Sequence, residues 1–154
     1  MSQSAWCGCH ARTVPATSGV AREIPVAIEF TVILDDTLGT LAQLGALGDA
    51  GVNVEAIQGA TGNGKGVVQF VANDPERAAR ALEAARIAYT RREVIVVKVL
   101  DEPGTLGDVA LVMAKAGINI DSVYVTVRGH VVLGVDDLVG ATQVAGGMAV
   151  MTAE

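Results

Sequence analysis

Residues 59–66, GATGNGKG, have the residue types of a phosphate-binding loop. A glycine, four intervening residues and Gly64-Lys65 match the pattern G-x-x-x-x-G-K, whose backbone amides and lysine hold the phosphates of a nucleotide. That chemistry also requires a Ser or Thr after the lysine to bind magnesium, and then a helix whose N-terminus faces the phosphates. Here Gly66 follows the lysine, and residues 67–72, VVQFVA, have the character of a strand. We therefore predict a glycine-rich hairpin and no nucleotide site.

A second group of reactive side chains lies near the N-terminus, where Cys7, Cys9 and His10 could supply three metal ligands. A closed zinc site normally has four ligands, and the sequence contains no second cluster of this kind. The spacing of the two cysteines is also unfavourable for a disulfide. Residues 1–24, in which Ser, Thr, Gly and Ala are common, are predicted to form a poorly ordered tail, and we expect no metal site and no cofactor.

The side chains that most often perform catalysis are scarce in this sequence. Its two histidines, His10 and His130, are not part of a Cys-His, Ser-His-Asp or H-E-x-x-H pattern. Acidic pairs occur at the ends of predicted strands, where they usually solvate turns, although divalent-cation binding by these acids is an open alternative. The sequence therefore predicts a protein that is not an enzyme.

The composition limits the class of protein. The 154 residues are 51% hydrophobic and 18% charged, which suits one ordinary domain or two small ones with a well-filled core. The net charge of −6 disfavours nucleic acid as a partner. The sequence has no apolar run of membrane-spanning length and no secretory signal at its N-terminus, so we expect a cytoplasmic protein with no membrane partner.

An internal repeat is the most informative feature of the sequence. Residues 38–57, LGTLAQLGALGDAGVNVEAI, resemble residues 103–123, PGTLGDVALVMAKAGINIDSV, with one residue fewer in the first copy. Residues 66–71, GVVQFV, likewise correspond to residues 130–135, HVVLGV. We infer two copies of one supersecondary unit after residue 25.

Apolar runs predict four strands in each copy, and the last strand of the second copy is weak. These strands cover residues 26–34, 52–58, 66–72 and 88–94, and then residues 94–100, 118–127, 130–135 and 148–151. A helix follows the first strand of each copy, and Gly117 is suited to the left-handed position that ends the helix of the second copy. Another helix begins at Asp74-Pro75, an N-cap followed by proline in the first helical position. The predicted order is β-α-β-β-α-β, twice.

This order, together with PGTL after the first strand and AGINI or AGVNV at the second strand, resembles the ACT domain. The resemblance covers residues 25 to 140, and two copies in one short chain are similar to tandem ACT proteins that have no attached enzyme. It implies an α+β fold of two ferredoxin-like βαββαβ repeats, with antiparallel sheets side by side and the helices packed on one face. The implied divisions are an N-terminal tail at residues 1–24, ACT repeat 1 at residues 25–93 and ACT repeat 2 at residues 94–152.

The resemblance also implies a ligand site. In this family small ligands, often amino acids, bind at the interface between domains, where the loop after the first strand and the start of the second strand supply the contacts. Carried over by position, the implied ligand-binding residues are Asp36, Leu38, Gly39 and Asn53 in the first copy and Asp101, Pro103, Gly104 and Asn119 in the second. Leu38 replaces the usual proline, so the first loop is expected to differ in shape.

The residue types in these loops fit an amino acid as the ligand. A glycine between a strand and a helix exposes backbone amides at the positive end of the helix dipole, which suits a carboxylate. Asp36 or Asp101 could receive the ammonium group, and an asparagine can donate and accept hydrogen bonds. A purely structural alternative is that Asp101 or Glu102 caps the helix and that the asparagines satisfy backbone groups at strand starts.

The expected function is that of a non-catalytic regulatory protein that binds an amino acid at the interface of its ACT repeats. The alternatives are a ligand-free interaction module that regulates a partner enzyme, and a small ferredoxin-like enzyme. A homodimer is expected on two grounds. The sheet edge is open if residues 148–151 form no strand, and the apolar Leu111 and Val112 lie on the outer face of a predicted helix.

Overall fold

The computed structural model describes residues 25–35 and 40–148. The predicted tail and the ligand-site candidates Asp36, Leu38 and Gly39 lie outside the described residues. The strands are β1 (Val26–Leu34), β2 (Val54–Gly62), β3 (Lys65–Ala72), β4 (Thr90–Val97), β5 (Ile120–Val125) and β6 (Val131–Val135). The helices are α1 (Gly45–Asp49), which follows a 3₁₀ segment (Thr40–Leu44), α2 (Pro75–Ala84), α3 (Thr105–Lys115) and α4 (Leu138–Met148).

The six strands form one antiparallel sheet in the order β2-β3-β1-β4-β6-β5. This corrects the prediction of separate strands at residues 88–94 and 94–100. Residues 90–97, TRREVIVV, are a single strand because they contain no glycine, proline or other turn-forming residue. β4 pairs with β1 on one side and with β6 on the other, so one strand stands where two were expected.

β1 occupies one edge of β4, the strand that begins the second predicted copy. The pairing runs from Val26 opposite Ile95 to Thr31 opposite Thr90. Met148 is the last residue of helix α4, so the predicted final strand does not begin at Met148, and residues 149–151 lie outside the described part. Because β1 covers β4, the open edge proposed as a ground for a homodimer does not exist there.

All four helices lie on the same face of the sheet, as predicted. One apolar cluster, which includes Phe30, Phe70 and Leu82, lies between the first half of the sheet and the helices α1 and α2. A second cluster, which includes Ile95 and Met113, lies beneath α3 and α4. The rings of Phe30 and Phe70 stack with their centroids 5.3 Å apart, which places most of the chain's sparse aromatic content in the first cluster.

The opposite face of the sheet is enclosed by its own curvature. The edge strands meet where Ala56 of β2 bridges to Thr126, and the Val127 amide donates a hydrogen bond of 2.8 Å to the Glu55 carbonyl. The apolar side chains enclosed in this way are Ala56, Val71, Val94, Tyr124 and Val132. The contact also occupies two strand edges that could otherwise pair with another chain.

Two local sequence predictions are confirmed. Asn63 and Gly64 join β2 to β3 and have φ angles of 54° and 74°, as the two central residues of a type I′ hairpin turn require. The segment that resembled a phosphate loop is therefore a hairpin. Asp74 caps α2, because its Oδ1 accepts a hydrogen bond of 3.0 Å from the Arg77 amide.

Candidate functional site

The two ends of the sheet carry different sets of predicted site residues. We call the end at which β1 finishes the Asp35 end and the end at which β4 finishes the Asp101 end. Asn119 precedes β5 and lies at the Asp35 end, whereas Asn53 precedes β2 and lies at the Asp101 end. The 11 residues of α3, about 16 Å of helix, separate Asp101 from Asn119. The structure therefore places Asp101 at the same end as Asn53, with β3 and β1 between their strands.

The turn before α3 leaves the N-terminus of that helix accessible. Asp101, Glu102, Pro103 and Gly104 are all exposed, and Gly104 has a φ angle of 96° with no atom beyond its neighbours within 4 Å of the position of a Cβ. No side chain caps α3. The alternative in which Asp101 or Glu102 caps this helix is therefore wrong. The first amides of α3 have no side-chain acceptor, which is the arrangement that binds anions at helix N-termini.

Asn53 and Asn119 have matching surroundings at opposite ends of the sheet. The Asn53 amide donates to Asn73 Oδ1 at 3.0 Å, and the Asn119 amide donates to Asp136 Oδ1 at 2.9 Å. Each partner returns a backbone hydrogen bond, from Asn73 to Asn53 and from Asp136 to Asn119. The backbone groups at these strand starts are thus satisfied by the residue that follows β3 or β6, which contradicts the structural alternative for the two asparagines.

Sequence reasoning missed Asn73 and Asp136, although each comes directly after the third strand of a predicted copy. The two asparagines carried over from the ACT resemblance have exposed side chains, and no hydrogen bond joins either carboxamide to another described residue. Both carboxamides are therefore accessible to a ligand.

A polar network inside the curved sheet was also missed. Glu29 is fully buried, and its carboxylate accepts hydrogen bonds from Arg92 Nε at 2.8 Å, from the Tyr124 hydroxyl at 2.7 Å and from Gln69 Nε2 at 3.1 Å. Gln58 donates in turn to Gln69. Because successive side chains of a strand point to opposite faces, Glu29 lies on the face of the sheet that the helices do not cover. Strand periodicity alone would leave that face exposed, and the curvature of the sheet encloses it.

Arg92 extends this network to the far edge of the sheet. Its two terminal nitrogens donate to both carboxylate oxygens of Asp121 at 2.8 and 2.7 Å, and one of them also donates to Ser122 Oγ at 2.9 Å. Gly134 of β6 lies directly beneath, and a Cβ at this position would overlap the Arg92 guanidinium and the Ser122 hydroxyl. The glycine in HVVLGV is therefore required for Arg92 to cross β6.

The network shifts the pKa values of its members in the directions expected for a buried ion pair. Burial raises the pKa of the Tyr124 hydroxyl, and its hydrogen bond to Glu29 raises it further. Hydrogen bonds from Arg92 lower the pKa of Asp121. Every buried side-chain nitrogen and oxygen of the described residues has a hydrogen-bond partner. Glu29 and Arg92 thus have a structural role, and no unsatisfied group in the network points to a ligand.

A cavity of about 320 Å³ opens at the Asp35 end, between the end of β1 and the segment that joins α2 to β4. Its lining residues are Ile33, Leu34, Asp35, Gln43, Arg86, Ile87 and Ala88. None of them was among the predicted site residues, although Asp35 is the residue before the predicted Asp36.

Residues 25–35 and 40–148 contain neither a cluster of metal ligands nor a membrane-spanning helix. No three side chains of His, Cys, Asp or Glu in that part of the chain are grouped so that they could hold a metal ion. Cys7, Cys9 and His10 lie outside it. None of the helices described is long and apolar enough to cross a lipid bilayer.

The ACT domain family model matches residues 94–146, from within β4 to within α4. A comparison with curated proteins gave no match. Among solved structures, a protein from Bacteroides thetaiotaomicron is similar over 77% of this chain and 85% of its own, with 22% identity and a TM-score of 0.71.

Two regulatory subunits of aspartate kinase are also similar in fold. The ligand-free subunit from Thermus thermophilus is similar over 81% of this chain and 95% of its own, with 19% identity and a TM-score of 0.58. The subunit from Thermus flavus is similar over 83% of this chain and 94% of its own, with 18% identity and a TM-score of 0.57. The chain thus has a mixed α+β fold of ACT type, in which residues 94–146 match the ACT domain family.

Proposed function

We propose that this protein is a non-catalytic regulatory protein that binds an amino acid. The observation that carries the proposal is the uncapped N-terminus of α3 behind the exposed Gly104, within the stretch that matches the ACT domain family. The ligand carboxylate lies against the first amides of α3, where the helix dipole favours negative charge.

The second charge of the ligand has a partner in the same turn. Asp101 is exposed next to the N-terminus of α3 and can accept the ammonium group of an amino acid. Asn53 lies at the same end of the sheet with a free carboxamide, and it belongs to the other half of the chain. We propose that a ligand held by Asp101 and the α3 amides reaches Asn53 of the other half only through an extended side chain, because β3 and β1 lie between β2 and β4.

We further propose that the chain is a tandem pair of ACT repeats. From β1 to α2 the order of strands and helices is the same as from β4 to α4. The matched environments of Asn53 and Asn119 support the same equivalence. In this proposal Asn119 serves a second site at the Asp35 end, with Asp36, Leu38 and Gly39 of the first loop.

A thermal-shift screen with the twenty amino acids tests the proposed function, because a ligand that binds the native state must raise its melting temperature. We expect at least one amino acid to do so, and we expect Asp101→Ala to reduce its affinity by about tenfold or more, as for the loss of a hydrogen bond to a charged group. Glu102→Ala is the matched control, since Glu102 is the neighbouring exposed carboxylate.

Two outcomes would contradict the proposal. If no amino acid moves the transition, the protein is better described as a ligand-free interaction module. If Asp101→Ala and Asn53→Ala both bind the hit as tightly as the wild type does, the site is not at the Asp101 end.

A further inference from the structure

The C-terminus of α2 differs from the ends of α1 and α3 in one residue. All three helices end with the same pair of backbone hydrogen bonds, which places the following residue in the left-handed conformation. That residue is Gly51 after α1 and Gly117 after α3, with φ angles of 71° and 74°, but it is Arg86 after α2, with a φ angle of 57°. A side chain at this position is unfavourable because its Cβ crowds the backbone.

Arg86 lines the cavity at the Asp35 end. Arg77, Arg91 and Arg92 each form an ion pair with an acidic side chain, whereas Arg80, Arg86 and Arg128 form none with the described residues. No acidic side chain of the described residues pairs with Arg86, although the protein carries a net charge of −6. An unfavourable conformation beside a cavity is evidence for a functional side chain, and here that side chain is an uncompensated cation.

The opposite wall of the cavity carries the complementary charge. Asp35 is 91% exposed and has only a loose ion pair, in which its Oδ1 lies 3.7 Å from Lys65 Nζ. Gln43 adds a carboxamide, and Ile33, which is 61% exposed, adds an apolar surface. A volume of about 320 Å³ is at the small end of the range for ligand sites and fits a molecule the size of an amino acid better than a nucleotide.

We propose that this cavity is a ligand site in addition to the two proposed above, and that it takes a small amphoteric carboxylate such as an α-amino acid. The carboxylate pairs with the Arg86 guanidinium, whose planar fork matches it, and the ammonium group pairs with Asp35. The inference rests on the proposed function for the class of ligand, which is the same. The residues are different, and they lie at the opposite end of the sheet from Asp101 and Gly104.

Arg86→Gly separates this role from a structural one. A cation near a helix C-terminus also complements the helix dipole, so Arg86 has an alternative explanation. Glycine is the residue that α1 and α3 use at the same position, so the variant keeps the fold. If Arg86 has only a structural role, Arg86→Gly should change the melting temperature and leave ligand binding unchanged. If Arg86 binds the ligand as proposed, the variant should remain folded and lose binding.

The test is a nuclear magnetic resonance titration of the full chain with each of the twenty amino acids, followed at the Arg86 side-chain Nε–H and at the amides of Ile87 and Ala88. We expect at least one amino acid to shift these signals. The amine that has the same side chain as that amino acid but no carboxylate should leave them unchanged. Arg86→Gly should lower the affinity for that amino acid by about tenfold or more. The control is Arg80→Ala, which removes an equal charge from the exposed face of the same helix.

The proposal is overturned if no amino acid shifts these signals or if Arg86→Gly binds as the wild type does. Asp101→Ala distinguishes the two sites, because it should leave the Arg86 signals responsive. A response at Arg86 that survives in Asp101→Ala, with no effect of Asp101→Ala on any ligand, would support this site and refute the one at α3.

Discussion

At the scale of single residues, Glu29 is the residue whose environment departs most from its sequence pattern. It occupies the polar position of an alternating strand, yet it is fully buried and accepts three hydrogen bonds. A buried carboxylate is tolerated only when it is paired and hydrogen-bonded, and Arg92, Tyr124 and Gln69 meet that condition. Removing the carboxylate would leave three donors, one of them charged, without their acceptor.

Glu29→Ala should therefore lower the free energy of unfolding by roughly 3–5 kcal/mol, the usual loss when one partner of a buried ion pair is removed. Glu29→Gln should lose less, because its carboxamide oxygen still accepts a hydrogen bond. Urea denaturation measures both losses, and Glu93→Ala, at an exposed position of β4, is the control. A loss for Glu29→Ala no larger than that of the control would show that the network does not stabilise the fold.

At the scale of secondary-structure elements, the same network holds β5 in place. β4 and β5 are not neighbours, because β6 lies between them, yet Arg92 reaches across Gly134 to Asp121 and Ser122. This contact lies towards the Asp35 end, whereas β2 and β5 meet at the Asp101 end. The edge strand is thus fixed at both ends by different interactions.

The contact between Arg92 and Asp121 predicts a specific acid sensitivity. Arg92 lowers the pKa of Asp121 in the folded protein. Such a carboxyl group contributes stability above its unfolded pKa of about 3.9, and the contribution is lost as the pH falls through the folded pKa. We expect Asp121→Asn to be less stable than the wild type at neutral pH, and the difference to shrink as the pH falls below about 3.9.

Urea midpoints from neutral pH into the acid range would measure this difference. Glu102→Gln, which removes an exposed carboxylate outside the network, should show no such convergence with the wild type. A difference for Asp121→Asn that stays constant with pH would mean that the ion pair contributes nothing to stability.

Sequence reasoning succeeded where the signal is local. The alternation in β1, the cap at Asp74 and the turn at Asn63-Gly64 each depend on a few adjacent residues, and the structure has all three. It failed where the structure depends on contacts between segments that are far apart in the sequence. The merging of two predicted strands into β4, with β1 along its edge, depends on pairing between residues 59 to 69 positions apart.

The candidate site shows the same division. The exposed Gly104 turn follows from the residues around it, whereas the separation of Asp101 from Asn119 follows from the direction of α3. The position of Arg86 in a left-handed turn beside a cavity has no local signal, because arginine is common on helices and rare in that conformation.

At the scale of the whole molecule, the two halves of the chain are joined into one sheet by the pairing of β1 with β4. β1 pairs with β3 of its own half and with β4 of the other, and β4 pairs with β1 and β6. The predicted boundary between residues 93 and 94 falls inside β4. Each cluster beneath the helices lies within one half, but the cluster enclosed on the opposite face takes side chains from both halves.

We therefore expect the full chain to unfold in a single cooperative transition, and fragments of residues 25–93 and 94–154 to have no cooperative transition when each is prepared alone. Thermal denaturation followed by circular dichroism measures this directly. A mixture of the two fragments is the control, because it contains the same residues as the full chain and can restore the pairing of β1 with β4. A sharp melting transition in either isolated fragment would show that the halves are autonomous.

The pairing of β1 with β4 limits how a chain of this kind can change during evolution. Loss of either half would expose the edge of β1 or of β4 and open the cluster that both halves enclose, so neither half is easily lost. Tolerated insertions are accordingly confined to the tips, such as the turn at Asn63-Gly64 and the turn at Arg128-Gly129, where no strand pairing is interrupted.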